Sequence, residues 1–431
     1  MTQVTIYAPY KTNRLLYVLD WLFKEQLGIS YQLTDNTENI TGTCISYGQT
    51  IAGAWTIPDS GLLWEQGVKE HDIAYGKWNT LPVIYAKEDA GYALPFDIFS
   101  ALFFLLSRYE EYYAYTPDRH DRYPATASIA YKQGWLRRPL VDEWVAQFGK
   151  LLSEKFHVPI KPRAYSYIPT YDIDIAFSYR YKGWKRTAGA LAKDLIGGKI
   201  SKGIERLKTV GGKLDDPYDS YDAISKLHHH QPVKPLFFVL SALRITAHDK
   251  NIAPFHPAMV ALVKRLNDIG QIGIHPSYYS NTRGILPEKQ LLENNIGHPI
   301  LISRQHYIRI DMRATYQQLI KVGITDDYSM GYGTHLGFRA GTGQSFLWYD
   351  VANECSTPLR LHPFCFMDTT ALYDEGMNAG QAFAVLDEMN ALLKQTNSQL
   401  ITIFHNFSLG SSEEWKGWRE MYEQYPRPLK G

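Results

Sequence analysis

From residue 165 onward the chain repeats one pattern: a short apolar run of strand length, a polar or ionisable residue at its end, then a stretch with helical spacing. The strand-length runs fall at 165–171, 235–240, 271–275, 299–303, 322–325, 358–361 and 399–404. Helical spacing falls near 218–230, 257–269, 286–295, 311–320 and 378–395. Strands that alternate with helices pair in parallel, because each crossover helix returns the chain to the same end of the sheet. Seven such strands predict a closed or nearly closed β/α barrel. In that architecture the carboxyl ends of the strands meet at one mouth. Here those ends carry Asp172 and Asp174, His275, Arg304 with His306 and Tyr307, Asp326 and Asp327, His362 and His405. One strand-end histidine is as readily a structural hydrogen-bonding residue as a functional one. Their coincidence over six strand ends predicts a catalytic or metal-binding cup.

The first of these ends, Thr170-Tyr171-Asp172-Ile173-Asp174, is the sharpest. Residues i and i+2 of a strand share a face, which places the two carboxylates about 6.5 Å apart at their Cα atoms. Two such anions repel unless a cation takes one of them or one keeps a proton.

At 431 residues the chain exceeds what one hydrophobic core usually serves, so two domains are expected. The run 157–163, with Pro159 and Pro162 among two cations, reads as the linker. Before it, strands at 3–8, 29–33 and 44–47 and helices at 11–28, 95–113 and 141–156 predict a smaller α+β domain over 1–160, followed by the barrel over 161–431. In the loop 117–124, Asp118, His120 and Asp121 stand beside Arg119 and Arg122, and this reads as a polar loop of ion pairs rather than a site. A net charge of +1 argues against a whole-chain nucleic-acid binder. Three cysteines without C-x-x-C spacing argue against a disulfide framework or a zinc ribbon. The N-terminus shows no basic segment leading into an apolar one, and the longest apolar run, 98–106, is short for a membrane span. A cytoplasmic protein is the expectation. Aromatic residues make up 14% of the chain, which suits sugar faces and ordinary cores equally.

The order of the strand-end groups resembles the polysaccharide deacetylases of carbohydrate esterase family four. Thr170 to Asp174 is similar to the family's first motif, Gly273-Ile274-His275-Pro276-Ser277-Tyr278-Tyr279 stands where the second falls, and Arg304-Gln305-His306-Tyr307 matches an R-x-x-Y third motif. Asp326 and Asp327 lie near the fourth, and Ile403-Phe404-His405 resembles the fifth. The preceding α+β domain and the phrases SRYEEY, GIHPSY, SRQHY and GFRAGT look closest to an uncharacterised bacterial branch. The resemblance covers residues 165 to about 410 and implies a distorted seven-stranded β/α barrel that removes N- or O-acetyl groups from a sugar with a divalent metal, zinc first. It implies Asp172 as general base oriented by Arg304, Asp174 and His275 as metal ligands, and His405 as general acid. Substrate contacts would fall to Tyr278, Tyr307 and Arg339. One departure stands out: the family's second metal-binding histidine falls at Tyr279. A catalytic zinc takes three protein ligands, so His306, which follows the next strand, is the expected third, with His362 behind it. A non-catalytic glycan-binding relative that has lost a ligand is the alternative reading, and a glycosidase using Asp172 with another carboxylate is a weaker one.

Three further stretches carry expectations. His228-His229-His230 ends a helix and reads as exposed cations favoured by the helix dipole. Gly337-Phe338-Arg339-Ala340-Gly341-Thr342-Gly343 lacks a nucleotide-binding spacing and reads either as a substrate contact through Arg339 or as a lid. Residues 180–213 hold ten Lys or Arg against Asp194 and Glu205, with apolar residues at helical spacing. That segment reads either as a solvated helical excursion or as a basic amphipathic surface meeting anionic lipid or a pyrophosphate-linked glycan.

Overall fold

The computed structural model describes residues 4–425 apart from 41, 43, 88, 90, 162, 230–232 and 281. Pro162 of the linker and His230 of the histidine run therefore lie outside the described residues. The N-terminal part is built on strands β1 (Val4–Tyr7), β2 (Tyr31–Thr34), β3 (Cys44–Tyr47) and β4 (Trp55–Ile57), paired in parallel in the order β2-β1-β3-β4. A two-stranded antiparallel ribbon, β5 (Tyr75–Trp78) and β6 (Leu81–Ile84), stands beside it. The remaining strands are β7 (Ser166–Ile173), β8 (Leu236–Leu240), β9 (Gln271–His275), β10 (Ile302–Ser303), β11 (Asp326–Asp327), β12 (Phe346–Asp350), β13 (Cys355–Leu361), β14 (Phe366–Met367) and β15 (Gln399–His405). They form one sheet in the order β12-β13-β11-β10-β9-β8-β7-β15-β14.

Every neighbouring pair in the large sheet is parallel except β12 with β13. Strands such as Leu236-Phe237-Phe238-Val239-Leu240 are apolar at every position and buried on both faces, as a helix-covered parallel sheet requires. The ladder differs from the expected closed seven-stranded barrel. Among the described residues no pairing joins β14 to β12, and the antiparallel hairpin β12–β13 occupies one edge. A hairpin needs only a short turn, which is why it escaped the strand-then-helix pattern. The strand expected at 322–325 instead forms at Asp326–Asp327, after a turn at Gly323 with φ 78°.

One buried apolar cluster runs through both parts of the chain, from Val4 to Tyr425. Tyr17 packs against Tyr349 at 5.1 Å, and Trp21 Nε1 donates to the carbonyl of Ser345. The helix Ile98–Leu106 is buried at every position and ends at Arg108, whose φ of 54° turns the chain into a short 3₁₀ segment, Tyr109–Tyr112. Glu111 on that segment meets Arg108 and Arg339 in a fully buried ion network.

The glycine-rich stretch 337–343 is pinned by this packing. A Cβ at Gly337 would meet the carbonyl oxygen of Leu136 at 2.4 Å, and one at Gly343 would meet that of Gln399 at 2.5 Å. The backbone of Gly343 donates to Asp142, and burial pushes that carboxyl up to about 6. The stretch is an interior connection between the two parts of the chain, which corrects the lid reading. His228 likewise turns inward to the hydroxyl of Tyr171 at 2.7 Å instead of remaining exposed, while His229 is exposed. No helix among the described residues is long and apolar enough to cross a membrane.

Candidate active site

The strand ends β7, β9, β10 and β15 converge on a cavity of about 420 Å³ lined by Asp172, Asp174, His275, His306, Tyr307 and His405 among others. Asp172 lies in register with His405 on one side and Phe238 on the other, so the parallel ladder sets the spacing of the first two groups. Asp174, one residue beyond β7, projects into the same mouth. Its Oδ1 lies 3.1 Å from His275 Nε2, and its Oδ2 lies 3.5 Å from both His306 Nε2 and His405 Nε2.

Each imidazole is fixed from behind. His275 Nδ1 lies 2.6 Å from the carbonyl oxygen of Arg304, His306 Nδ1 lies 3.0 Å from Asp249 Oδ1, and His405 Nδ1 lies 2.6 Å from Asp368 Oδ1. With Nδ1 donating to these acceptors, Nε2 of His275 and of His306 is turned toward Asp174. Asp249 is itself held by the backbone N–H of Tyr278 and the hydroxyl of Thr246. One ligand atom from each of Asp174, His275 and His306 lies within 4.8 Å of the others.

Arg304 serves two groups at once. Its carbonyl takes His275, while its Nη1 donates to Asp172 Oδ1 at 2.8 Å and to the Thr170 hydroxyl at 2.7 Å. Its guanidinium lies 4.3 Å from the ring centroid of Phe238. Gly273 makes room for that ring, since a Cβ there would meet Phe238 Cδ1 at 2.6 Å.

The electrostatics follow from burial and charge. Burial works against ionisation of Asp174, yet His306 and His275 outweigh it and hold the carboxyl well below its usual range. Burial lowers His306, but Asp174 and Asp249 push it up to about 9. His405 is likewise opposed by burial and raised well above the ordinary imidazole value by Asp368 and Asp174. The ring of His405 stacks on Phe407 at 4.7 Å.

The loop 117–124 supplies part of the cavity wall through Arg119, His120 and Arg122, which corrects its reading as a polar loop apart from any site. The Asp118–Arg122 pair does form, at 2.8 Å. Arg122 also donates to the carbonyl of Tyr307, where φ is 59° at Tyr307 and 54° at Ile308. Two successive non-glycine residues with positive φ, one of them β-branched, are strained, and the strain sits directly after His306.

Other expected residues lie elsewhere. Arg339 is buried against Glu111 and the carbonyl of Gly331 and does not line the cavity. Tyr278 stands behind the wall, stacked on His248 at 3.9 Å with its hydroxyl at His120. Tyr279 is 68% exposed. His362 pairs with Asp326 at 2.7 Å and with Ser345, while Asp327 accepts from Ser303 and Ser329. Asp249 and Asp368 were missed. Asp368 follows a strand of two residues and Asp249 lies in a loop, so neither carries a periodic signal.

Residues 4–157 match a family model described as "Family of unknown function (DUF7033)". No curated protein matches the chain. Among solved structures, the chain is similar to the polysaccharide deacetylase Bc1974 from Bacillus cereus, with 13% identity, 60% of this chain and 85% of that chain covered, and a TM-score of 0.28. It is similar to Puue allantoinase, with 10% identity, 61% and 82% coverage and a TM-score of 0.36. It is also similar to Agd3, described as a novel carbohydrate deacetylase, with 7% identity, 98% and 84% coverage and a TM-score of 0.36.

Proposed function

We propose that this chain is a divalent-metal-dependent hydrolase that removes N- or O-linked acetyl groups from a sugar or glycan. One observation carries the reading: Asp174, His275 and His306 gather three ligand atoms within 4.8 Å, between an Arg-held carboxylate and an Asp-held imidazole. One carboxylate and two imidazoles suit a catalytic zinc with an open position. The donor set itself fits that group: the Asp174 carboxylate faces Nε2 of His275 and of His306, whose Nδ1 atoms are engaged from behind. A metal ion held by these three residues would polarise an acyl carbonyl and lower the pKa of a bound water.

The chain's own groups divide the proton work. Asp172, with Oδ1 held by Arg304, takes a proton from the attacking water. His405, whose Nδ1 is held by Asp368, gives its proton to the leaving amine or alkoxide. Tyr307 and Phe407 line the cavity with aromatic surface that suits the apolar face of a sugar ring.

The test is metal content by elemental analysis after zinc reconstitution, together with acetate release from acetylated sugars. Near-stoichiometric metal and acetate release are expected, both lost in His275→Ala. Metal-free protein after reconstitution would end the reading. Asp249 supports His306 from behind, so Asp249→Asn is expected to weaken zinc binding by about 10- to 100-fold in a competition titration with a chelator. Unchanged affinity would remove Asp249 from that role.

A further inference from the structure

The helices Trp184–Ile196 and Ile200–Val210 pack against each other with their amphipathicity inverted. The second helix turns Gly203, Arg206 and Thr209 inward and leaves Ile200, Ile204 and Leu207 in solvent. The first buries Asp194 and exposes Trp184 at 76% and Ile196 at 89%. Polar chemistry holds the inside: Arg206 donates twice to Asp194 Oδ2, at 3.0 and 2.7 Å, and its guanidinium lies 4.5 Å from the ring centroid of Tyr179. A helix packed on a soluble core normally buries its apolar stripe, so an exposed one marks an interaction surface.

Charge identifies the partner. Residues 180–213 carry ten Lys or Arg and two acids, a net +8, in a chain whose total is +1. The other residues therefore sum to −7, and the positive charge is concentrated where the apolar stripe is exposed. Lys193, Lys199, Lys202, Lys208 and Lys213 make no ion pair among the described residues; the Arg206–Asp194 pair is the internal one. Two copies of so positive a face repel each other, whereas anionic headgroups over an acyl layer meet both the lysines and the stripe.

We propose that this helical pair docks the protein on an anionic lipid surface, lying in the headgroup plane. The adjoining segment 241–256 adds exposed Leu243, Ile245 and Phe255, and it is tied to the pair by Arg186 Nη2 donating to the carbonyl of Lys250. Lys250 and His248 of that segment line the cavity, so docking brings the cavity mouth near the lipid surface. Docking goes beyond the hydrolase reading and is measured without turnover.

The experiment is co-sedimentation of the full chain with phosphatidylcholine vesicles that contain or lack phosphatidylglycerol. Salt-sensitive binding to the anionic vesicles alone is expected. Ile200→Ser/Ile204→Ser/Leu207→Ser is expected to lose binding with an unchanged melting temperature, because these side chains are already in solvent. Lys199→Gln/Lys202→Gln/Lys208→Gln is expected to weaken it by about 100-fold, at about fivefold per lysine. No binding by the wild type at low salt, or equal binding to both vesicles, would overturn the proposal. So would a dimer in sedimentation velocity that the serine variant dissolves, which would assign the stripe to a second copy.

Discussion

Asp172→Asn is expected to lower acetate release by about 10²- to 10⁴-fold, the contribution of a positioned general base, while leaving zinc content intact. The split follows from the geometry. Asp172 belongs to the Arg304 side of the mouth, whereas the gathered ligand atoms come from Asp174, His275 and His306. An asparagine keeps the shape and an oxygen for Arg304, which also retains its bonds to Thr170 and to the carbonyl of Tyr328, so the geometry should hold at some cost in stability from the lost buried counter-charge. Single-turnover kinetics beside elemental analysis would check both halves. Turnover above about a tenth of wild type falls below what positioned bases contribute and would refute the assignment. Loss of zinc together with activity would instead place Asp172 among the ligands.

Glu111→Leu is expected to be strongly damaging far from the cavity, costing about 3–5 kcal/mol of unfolding free energy by leaving the buried Arg339 without its carboxylate, while Arg108 keeps Glu110. Glu111 accepts from Arg339 at both oxygens and from Arg108 Nε, all three side chains being almost fully buried. Burial pushes the Glu111 carboxyl up, but Arg339 and Arg108 outweigh it and leave it below the usual range. A carboxyl depressed on folding contributes stability that is present above its unfolded value and is lost as pH falls through the folded one. The penalty of Glu111→Leu should therefore be full at neutral pH and shrink as pH falls below about 4. Urea denaturation monitored by fluorescence would measure it. A loss under about 1 kcal/mol, the range of an exposed pair, would contradict the buried network.

The large sheet and the centre of the cavity were legible because both obey short-range periodicity. An apolar run that ends on Asp172, His275 or His405 announces a strand and its carboxyl end together. Legibility failed where the determinant was distant. Arg339 reads as a substrate contact, whereas Glu111, 228 positions away, holds it in the interior. The loop 117–124 reads as self-satisfied because Asp118 does pair with Arg122. Its place in the cavity wall depends on Arg309, which donates to the carbonyl of His120, and on Tyr278, which meets the His120 ring. Strands of two residues, such as Phe366–Met367, are too short to alternate, so Asp368 behind them carried no signal. The open sheet was hidden for a related reason: an edge hairpin needs no crossover helix to announce it.

The seven-residue ladder between β7 and β15 places Asp172 directly beside His405. Their separation is thus a property of backbone pairing, and a one-residue slip would turn every side chain of a strand to the opposite face. Substitutions that soften the surrounding core should lower the amount of folded protein without altering the Asp172–His405 spacing within it. Such an arrangement tolerates drift. The wall contributed by residues 117–124 and 241–256 is free to diverge while Asp172 and His405 keep their spacing, which makes this sheet a durable platform for evolutionary change.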